Sequence, residues 1–351
     1  MIREAIAKAI EGVELTEDQA RLSMMEIMEG RATPSQIGAF LTAMRMKGET
    51  VGEISALARA MREKSVRIHP RVSGRVVDTC GTGGDGKDTF NISTTSMFVA
   101  AGAGVRIAKH GNRSVSSRCG SADVLENLGA RIDLRPEEVE RMMGEAGICF
   151  MFAPVFHPAM KHALGPRREM GVRTFFNILG PLTNPCDARG HVLGVYDARL
   201  TELMAGVSAR LGMERVFVVH GVDGLDEISV TGPTVVSEQA DGGVSTYQLE
   251  PSDLGIPVAD QSELAGGDAP TNSRILVEIL AGHDAGPRRD AAAVNAAAAI
   301  AASEGHGGIA DAVPRAMESI ENGRALKALL RFVTSSGGDA ERVKLIAEEE
   351  P

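Results

Sequence analysis

From about residue 75 onward, short apolar runs alternate with stretches of helical periodicity, and no other feature of the chain limits its fold as tightly. The runs lie at 75–79, 105–108, 148–152, 192–196 and 216–219. Helical spacing occupies 93–103, 122–128, 136–145, 200–211, 271–280, 291–303 and 313–334. Strands separated by helices cannot pair as tight hairpins; they build a mostly parallel sheet flanked by helices. Ligands of such sheets bind beyond the carboxyl ends of the strands, so the loops there are the first place to look for chemistry. Segment 335–351, rich in charge and glycine, is assigned no element.

The start of the chain has a different texture. Residues 1–67 read as helices only. Thr16-Glu17-Asp18-Gln19 is a capping box ahead of Leu22, Met25 and Met28, and Gly30 stops that run. Thr33-Pro34 supplies a cap and a proline at the first helical position, followed by Ile37, Phe40, Leu41 and Met44. Thr50-Val51-Gly52-Glu53 is another capping box, leading into Ile54, Leu57 and Met61. With the segment from Met1, four short helices form a small all-α unit beside the α/β part.

Composition excludes whole classes. The 351 residues suggest about two domains. At 43% hydrophobic and 24% charged, the chain is neither disordered nor collagenous nor a disulfide scaffold. Its 37 basic and 47 acidic residues leave a net charge of −10, which disfavours nucleic acid as a partner. Cys80, Cys119, Cys149 and Cys186 form no C-x-x-C pair, as expected of a reducing compartment. The charged, amphipathic N-terminus has no secretory apolar core, and no run reaches the ~18 apolar residues of a membrane span. A cytoplasmic protein with no membrane partner is expected.

Four polar segments carry the chemistry. The first runs from Asp78-Thr79-Cys80 through Gly81-Thr82-Gly83-Gly84-Asp85-Gly86-Lys87-Asp88-Thr89-Phe90 to Asn91-Ile92-Ser93-Thr94. It nearly matches a P-loop, but Asp88 stands where a magnesium-binding Ser or Thr is required. It also nearly matches a dinucleotide fingerprint, but helical periodicity begins too late, and the next strand ends in Lys109-His110 instead of an acid. What remains is a glycine-rich cradle for phosphate, with helix N-terminal donors beside it. The second segment, Lys109-His110-Gly111-Asn112-Arg113-Ser114-Val115-Ser116-Ser117 with Gly120-Ser121, packs cations, an amide and hydroxyls after a strand, and suits a multiply charged phosphate ligand. The third, Asp223-Gly224-Leu225-Asp226-Glu227, offers adjacent hard oxygen ligands for Mg²⁺. In the fourth, from Phe156 to Leu182, His157 and His162 lack metal-ligand spacing. Arg167, Arg168 and Arg173 are there as candidates for a substrate carboxylate, and spacing does not choose among them.

Gly81-Thr-Gly-Gly-Asp85, Asn91-Ile-Ser-Thr94, the Lys109–Ser117 segment and Asp226-Glu227, together with His157-Pro158, Gly165-Pro-Arg167 and Asn177-Ile-Leu-Gly-Pro181, resemble the anthranilate phosphoribosyltransferases over nearly the whole chain, with no departure at these positions. The resemblance implies transfer of the phosphoribosyl group of 5-phosphoribosyl 1-pyrophosphate to the amine of anthranilate, the second step of tryptophan synthesis. It implies a nucleoside phosphorylase/phosphoribosyltransferase-like (class III type) fold. A small helical domain, 1–70 joined by helices from about 156–185, would sit beside a large α/β domain of 71–155 and 186–351. A homodimer through the helical domain is implied as well.

Carried over position by position, the resemblance puts the donor against Gly81, Gly84, Asp85, Thr89, Asn91, Ile92, Ser93, Thr94, Lys109, His110, Gly111, Asn112, Arg113, Ser114, Val115, Ser116, Ser117 and Ser121. It gives two magnesium ions to Ser93, Asp226 and Glu227, and anthranilate to Gly81, Asn112 and Arg167. Lys109, Asp226 and Glu227 would act on the leaving group. A pyrimidine nucleoside phosphorylase of the same fold would not need the paired acids. A non-catalytic nucleic-acid-binding relative would lack them and carry surplus positive charge.

Overall fold

A computed structural model describes residues 1–114 and 118–349. The N-terminal helices are α1 (Ile2–Ile10), α2 (Glu17–Met28), α3 (Pro34–Lys47) and α4 (Val51–Glu63). The expected capping boxes at Thr16 and Thr50 are formed, and Thr33 closes a further one with Gln36. The α/β part continues with β1 (Val76–Thr79), α5 (Ile92–Gly102), β2 (Arg106–Gly111), α6 (Ser121–Asn127), α7 (Pro136–Ala146) and β3 (Ile148–Phe152). Three helices follow: α8 (Ala153–Phe156), α9 (Lys161–Met170) and α10 (Phe176–Leu179). Then come β4 (Gly190–Gly194), α11 (Leu200–Arg210), β5 (Arg215–Gly221), β6 (Thr234–Ala240) and β7 (Gly243–Leu249). The chain ends with α12 (Ala269–Ala281), α13 (Pro287–Ser303), α14 (Ile309–Glu321), α15 (Arg324–Ser335) and α16 (Glu341–Glu348).

The sheet runs β3-β2-β1-β4-β5-β6-β7, parallel through β5 and antiparallel at its last two strands. The expected mostly parallel sheet with flanking helices is present. Two expectations are corrected. The β6–β7 hairpin was not anticipated; it turns at Asp241-Gly242, both with positive φ (51° and 78°), the signature of a two-residue hairpin turn. The helix expected over 313–334 is two helices, because Gly323 adopts φ 70° and ends the hydrogen-bond ladder between α14 and α15. The second strand runs past the apolar run at 105–108 to Gly111, so that Lys109, His110 and Gly111 are its last three residues. The tail assigned no element contains α16.

Chain order places the site. From β1 the sheet grows to one side through β2 and β3, then returns to the other side with β4 and β5. The boundary between β1 and β4 is a topological switch point, where the loops leaving neighbouring strands part and open a crevice. The polar segments after β1, β2 and β5 all lie at this end.

Two apolar cores share the sheet. One joins α5, α12, α13, α14 and α15 to the sheet, with α13 buried from Asp290 to Ala302. The other gathers α1–α4 with Ala163 of α9 and with Phe175, Phe176, Ile178, Leu179 and Leu182. It also takes Leu193, Val195, Val216 and Val218, whereas Val192, Phe217 and Val219 face the first core. This is the period-two alternation of a strand, with both faces covered by different layers. The helical core therefore extends onto strands and onto α11, elements expected to serve the α/β part alone. Among the described residues, no helix is long and apolar enough to cross a membrane.

A buried ion pair braces the helical part. Glu53 accepts from Lys47 Nζ at 2.8 Å, from Leu15 N at 2.8 Å and from Thr50 N at 2.9 Å, with its side chain fully buried. Removing one partner of such a pair leaves an uncompensated buried charge. Glu53→Ala is therefore expected to lower unfolding stability by ~3–5 kcal/mol, read from the denaturant midpoint. A loss below ~1 kcal/mol would mean that the pair is hydrated and contributes as a surface pair does.

Candidate active site

The glycine-rich loop after β1 is held by neighbours on three sides. Thr82 donates through its N–H to Gly194 O at 2.8 Å and accepts from Tyr196 N at 3.2 Å. Gly83 N donates to Asp226 Oδ2 at 2.8 Å. Arg173, from the segment before α10, donates to Gly84 O at 2.8 Å while its guanidinium lies 4.4 Å over the Tyr196 ring. Gly83, Gly84 and Gly86 have φ of 66°, 78° and 72°, so the loop's path is open to glycine and closed to most other residues. Gly81 is required for another reason: a Cβ there would stand 2.5 Å from Asp226 Oδ2.

Asp226 and Glu227 follow β5 and enter the same crevice. Glu227 Oε1 accepts from Ser93 N, at the start of α5, at 3.2 Å. Both carboxyl groups are held above the usual range, chiefly by desolvation. The charge of Asp85 adds to the effect on Asp226, and that of Asp226 to the effect on Glu227. Lys109 opposes both shifts. Its ammonium, buried at the end of β2, bonds Thr79 O and lies 3.3 Å from Ser93 Oγ. Neither carboxylate has a cation within ion-pair distance among the described residues. Two adjacent desolvated carboxylates, one hydroxyl oxygen and an excess of negative charge form a donor set suited to a hard divalent cation. Asp223, the other acid of this turn, instead accepts from Ser229 Oγ at 2.5 Å and from Thr231 Oγ1.

The remaining expected residues divide into groups. Asp85 accepts from Lys87 N, and Thr89 forms an isolated bridge with Ala265. Ile92 and Thr94 are buried, so Ile92 offers only its backbone to a ligand. Asn91 donates to Cys119 O at 3.2 Å. Asn112 accepts Arg113 N on its own Oδ1, and its carbonyl accepts from Ser121 Oγ at 3.2 Å. Gly111 passes so close to Phe150 that a Cβ would lie 2.5 Å from that ring. Arg113 is paired with Asp123 at 2.9 Å and with Glu126, on α6. Ser114 N donates to Asp123 Oδ2. Val115, Ser116 and Ser117 lie outside the described residues.

The structure also separates the three arginines. Arg168 is exposed, and Arg173 is committed to Gly84 and Tyr196. Arg167 is half-buried, with its guanidinium 4.9 Å over Phe176 and no carboxylate partner among the described residues. Burial lowers its pKa. His162 packs on Gly30, and His157 stacks against His110 with ring centroids 4.9 Å apart. Burial lowers the pKa of both members of that pair, holding His157 down at about 3.

Sequence reasoning missed the tether from Arg173 to Gly84 and the close approach of Leu264–Gly267 to Asp88–Phe90. There, Phe90 N donates to Leu264 O and Gly266 N to Asp88 O. The signal available was Gly266-Gly267-Asp268 before a helix, which reads only as a helix start.

Residues 3–65 match the family model described as the glycosyl transferase family, helical bundle domain, and residues 73–326 match the a/b domain of the same family. Among curated relatives, anthranilate phosphoribosyltransferase of Acetivibrio thermocellus is 52% identical, the match covering 95% of this chain and 96% of that protein. The Methanocorpusculum labreanum protein of the same name is 54% identical over 96% and 99%. Among solved structures, anthranilate phosphoribosyltransferase from Thermus thermophilus superposes with a TM-score of 0.89 at 41% identity, covering 95% of this chain and 99% of that one. The Saccharomyces cerevisiae protein in complex with PRPP and Mg gives 0.87 at 30%, covering 96% and 98%. Likeness at this level, end to end and across both parts, means that the chain belongs to the anthranilate phosphoribosyltransferase family.

Proposed function

We propose that this chain transfers the 5-phosphoribosyl group from 5-phosphoribosyl 1-pyrophosphate to the amino nitrogen of anthranilate. The products are N-(5-phosphoribosyl)anthranilate and pyrophosphate, in the second step from chorismate to tryptophan. The observation that carries the reading is the meeting, at one switch point, of an amide-rich glycine loop with two desolvated carboxylates that have no cation in contact among the described residues. A phosphorylase of the same fold has no use for that acidic pair.

The donor is bound by Gly81, Gly84, Asp85, Thr89, Asn91 to Thr94, Lys109 to Ser117 and Ser121. Ser93, Asp226 and Glu227 would hold magnesium, two ions per site, and the metal would supply positive charge to the leaving pyrophosphate. Anthranilate meets Gly81 and Asn112, and its carboxylate pairs with Arg167, whose desolvated guanidinium has no counter-ion among the described residues. Residues 1–70 with about 156–185 act as the small domain, through which a cytoplasmic homodimer forms; 71–155 and 186–351 act as the large one.

The chemistry exchanges one bond at C1 for another. The C1–oxygen bond breaks with its electron pair leaving on pyrophosphate, the amine lone pair forms the C1–nitrogen bond, and the amine then loses a proton. Positive charge develops on the ribose and negative charge on the leaving group. Lys109 and the loop N–H groups are fixed before reaction, so they stabilise the leaving charge with little reorganisation. Holding a neutral amine near an already cation-like carbon supplies the orientation term, on the order of 7–11 kcal/mol in favourable intramolecular models. No general base is assigned.

Loss of anthranilate fluorescence with the ribosyl donor present is the direct assay. Magnesium-dependent loss with equimolar pyrophosphate release is expected, and excess chelator should abolish it; a chelator-insensitive rate would remove the metal from the reading. Asp226→Asn combined with Glu227→Gln should lower kcat/KM by on the order of 10²–10³. A near-normal rate in that variant would refute the acids' role. Arg167→Ala should raise the KM of anthranilate about 10- to 100-fold, the worth of a charge-assisted hydrogen bond, and leave that of the donor nearly unchanged. A shift confined to the donor would overturn the carboxylate assignment.

A further inference from the structure

Asn272 lies on the first turn of α12, far in sequence from every segment assigned to the reaction. Its side chain is nonetheless buried against Asn91, at the start of α5. Its Nδ2 donates to Asn91 Oδ1 at 2.8 Å, and its Oδ1 accepts Gly267 N at 2.7 Å. Asn91 in turn donates through Nδ2 to Cys119 O at 3.2 Å. Both ends of the Asn91 amide are therefore occupied by protein. Its orientation is also determined: rotating the amide would set its oxygen against the Cys119 carbonyl and its NH₂ against the Asn272 NH₂.

The surroundings make this a brace. Asp268 caps α12 by accepting Thr271 N at 3.0 Å, which anchors the turn carrying Asn272. The segment before it lies against the end of the glycine loop as a short antiparallel clasp, through Phe90 N to Leu264 O at 3.0 Å and Gly266 N to Asp88 O at 2.9 Å. Gly266 approaches so closely that a Cβ would stand 2.6 Å from Phe90 N. The chain Gly267–Asn272–Asn91–Cys119 thus links three stretches: the clasp, the N-terminus of α5 and the end of the loop after β2.

We propose that Asn272 is a positioning residue for the phosphoribosyl donor. Acting through Asn91, it fixes the register between the α5 N-terminus and the Cys119-Gly120 backbone ahead of α6, on the side of the crevice where the donor is proposed to bind. The inference rests on the function proposed above. It concerns a residue that touches no reacting atom. A buried amide that loses its partner leaves unpaired groups on both sides, so removal of Asn272 should disturb the register rather than one contact.

The test compares the intact enzyme with Asn272→Ala, Asn91→Ala and the double variant, in the fluorescence assay and by calorimetric titration of the donor with magnesium but without anthranilate. Asn272→Ala is expected to raise the KM and Kd of the donor by about tenfold or more, equivalent to ~1.4 kcal/mol. The KM of anthranilate should move less than threefold. The double variant should bind donor no more weakly than Asn91→Ala alone, because the two residues act in series. Additive losses, or an unchanged donor Kd in Asn272→Ala, would overturn the proposal. Should the alanine variant fail to fold, Asn272→Asp serves, since it keeps the acceptor for Gly267 N, removes the donor to Asn91 and adds a buried carboxyl group; it too should weaken donor binding, and normal donor affinity would be fatal to the idea. Absence of turnover in the folded wild-type enzyme would instead refute the function, which separates the two failures.

Discussion

The ammonium of Lys109 is the charge around which the crevice is arranged. Burying it at the end of β2 carries a desolvation cost of several kcal/mol, which must be met nearby. The Thr79 carbonyl and the Ser93 hydroxyl meet part of it by hydrogen bonding, and Asp226 and Glu227 meet the rest through space. Those carboxylates are themselves desolvated, and one ammonium does not balance two of them. The glycine loop and the start of α5 supply the remaining positive potential through Gly83 N and Ser93 N. Strand ends, helix N-terminus and loop therefore converge because each compensates a charge the others have taken out of water.

This arrangement explains why the glycines cannot be exchanged. Backbone amides act as ligands only where nothing stands between them and the charge. Gly81 lets the loop pass Asp226, and Gly194 lets β4 lie directly beneath the Asp226 backbone, where a Cβ would overlap the carbonyl. Packing density at this point is set by electrostatics, whereas in α13 it is set by apolar contact, with alanine after alanine buried between layers.

Much of this was legible in the sequence, and the exceptions have physical causes. Thr16, Thr33 and Thr50 announced three helices because capping is a local interaction. The β6–β7 hairpin escaped because β7 is exposed along almost its whole length and so lacks an apolar alternation, although Asp241-Gly242 marked its turn. The helical spacing of 313–334 continues across Asn322-Gly323, which hid a break that depends on one φ angle. The burial of Lys109 left no mark in the sequence, because a lysine inside a strand needs compensation that comes from other segments. The half-burial of Arg167 over Phe176 is set by packing between helices, and Asn272 meets Asn91 across 181 residues of sequence. Periodicity carries no trace of contacts of that kind.

The sharing of β4 and β5 between two cores has a consequence for synthesis. Met24, Met28, Phe40, Leu41 and Leu57 leave the ribosome early, yet Leu193, Val195, Val216 and Val218, which complete their core, follow about 150 residues later. At ~5–20 residues per second the interval is roughly 8–30 s. For that time the apolar residues of the first four helices lack the strand residues that cover them in the finished core. The N-terminal bundle is thus made well before the strands that complete its core, while the other core waits longer still, for helices that run to Ile346.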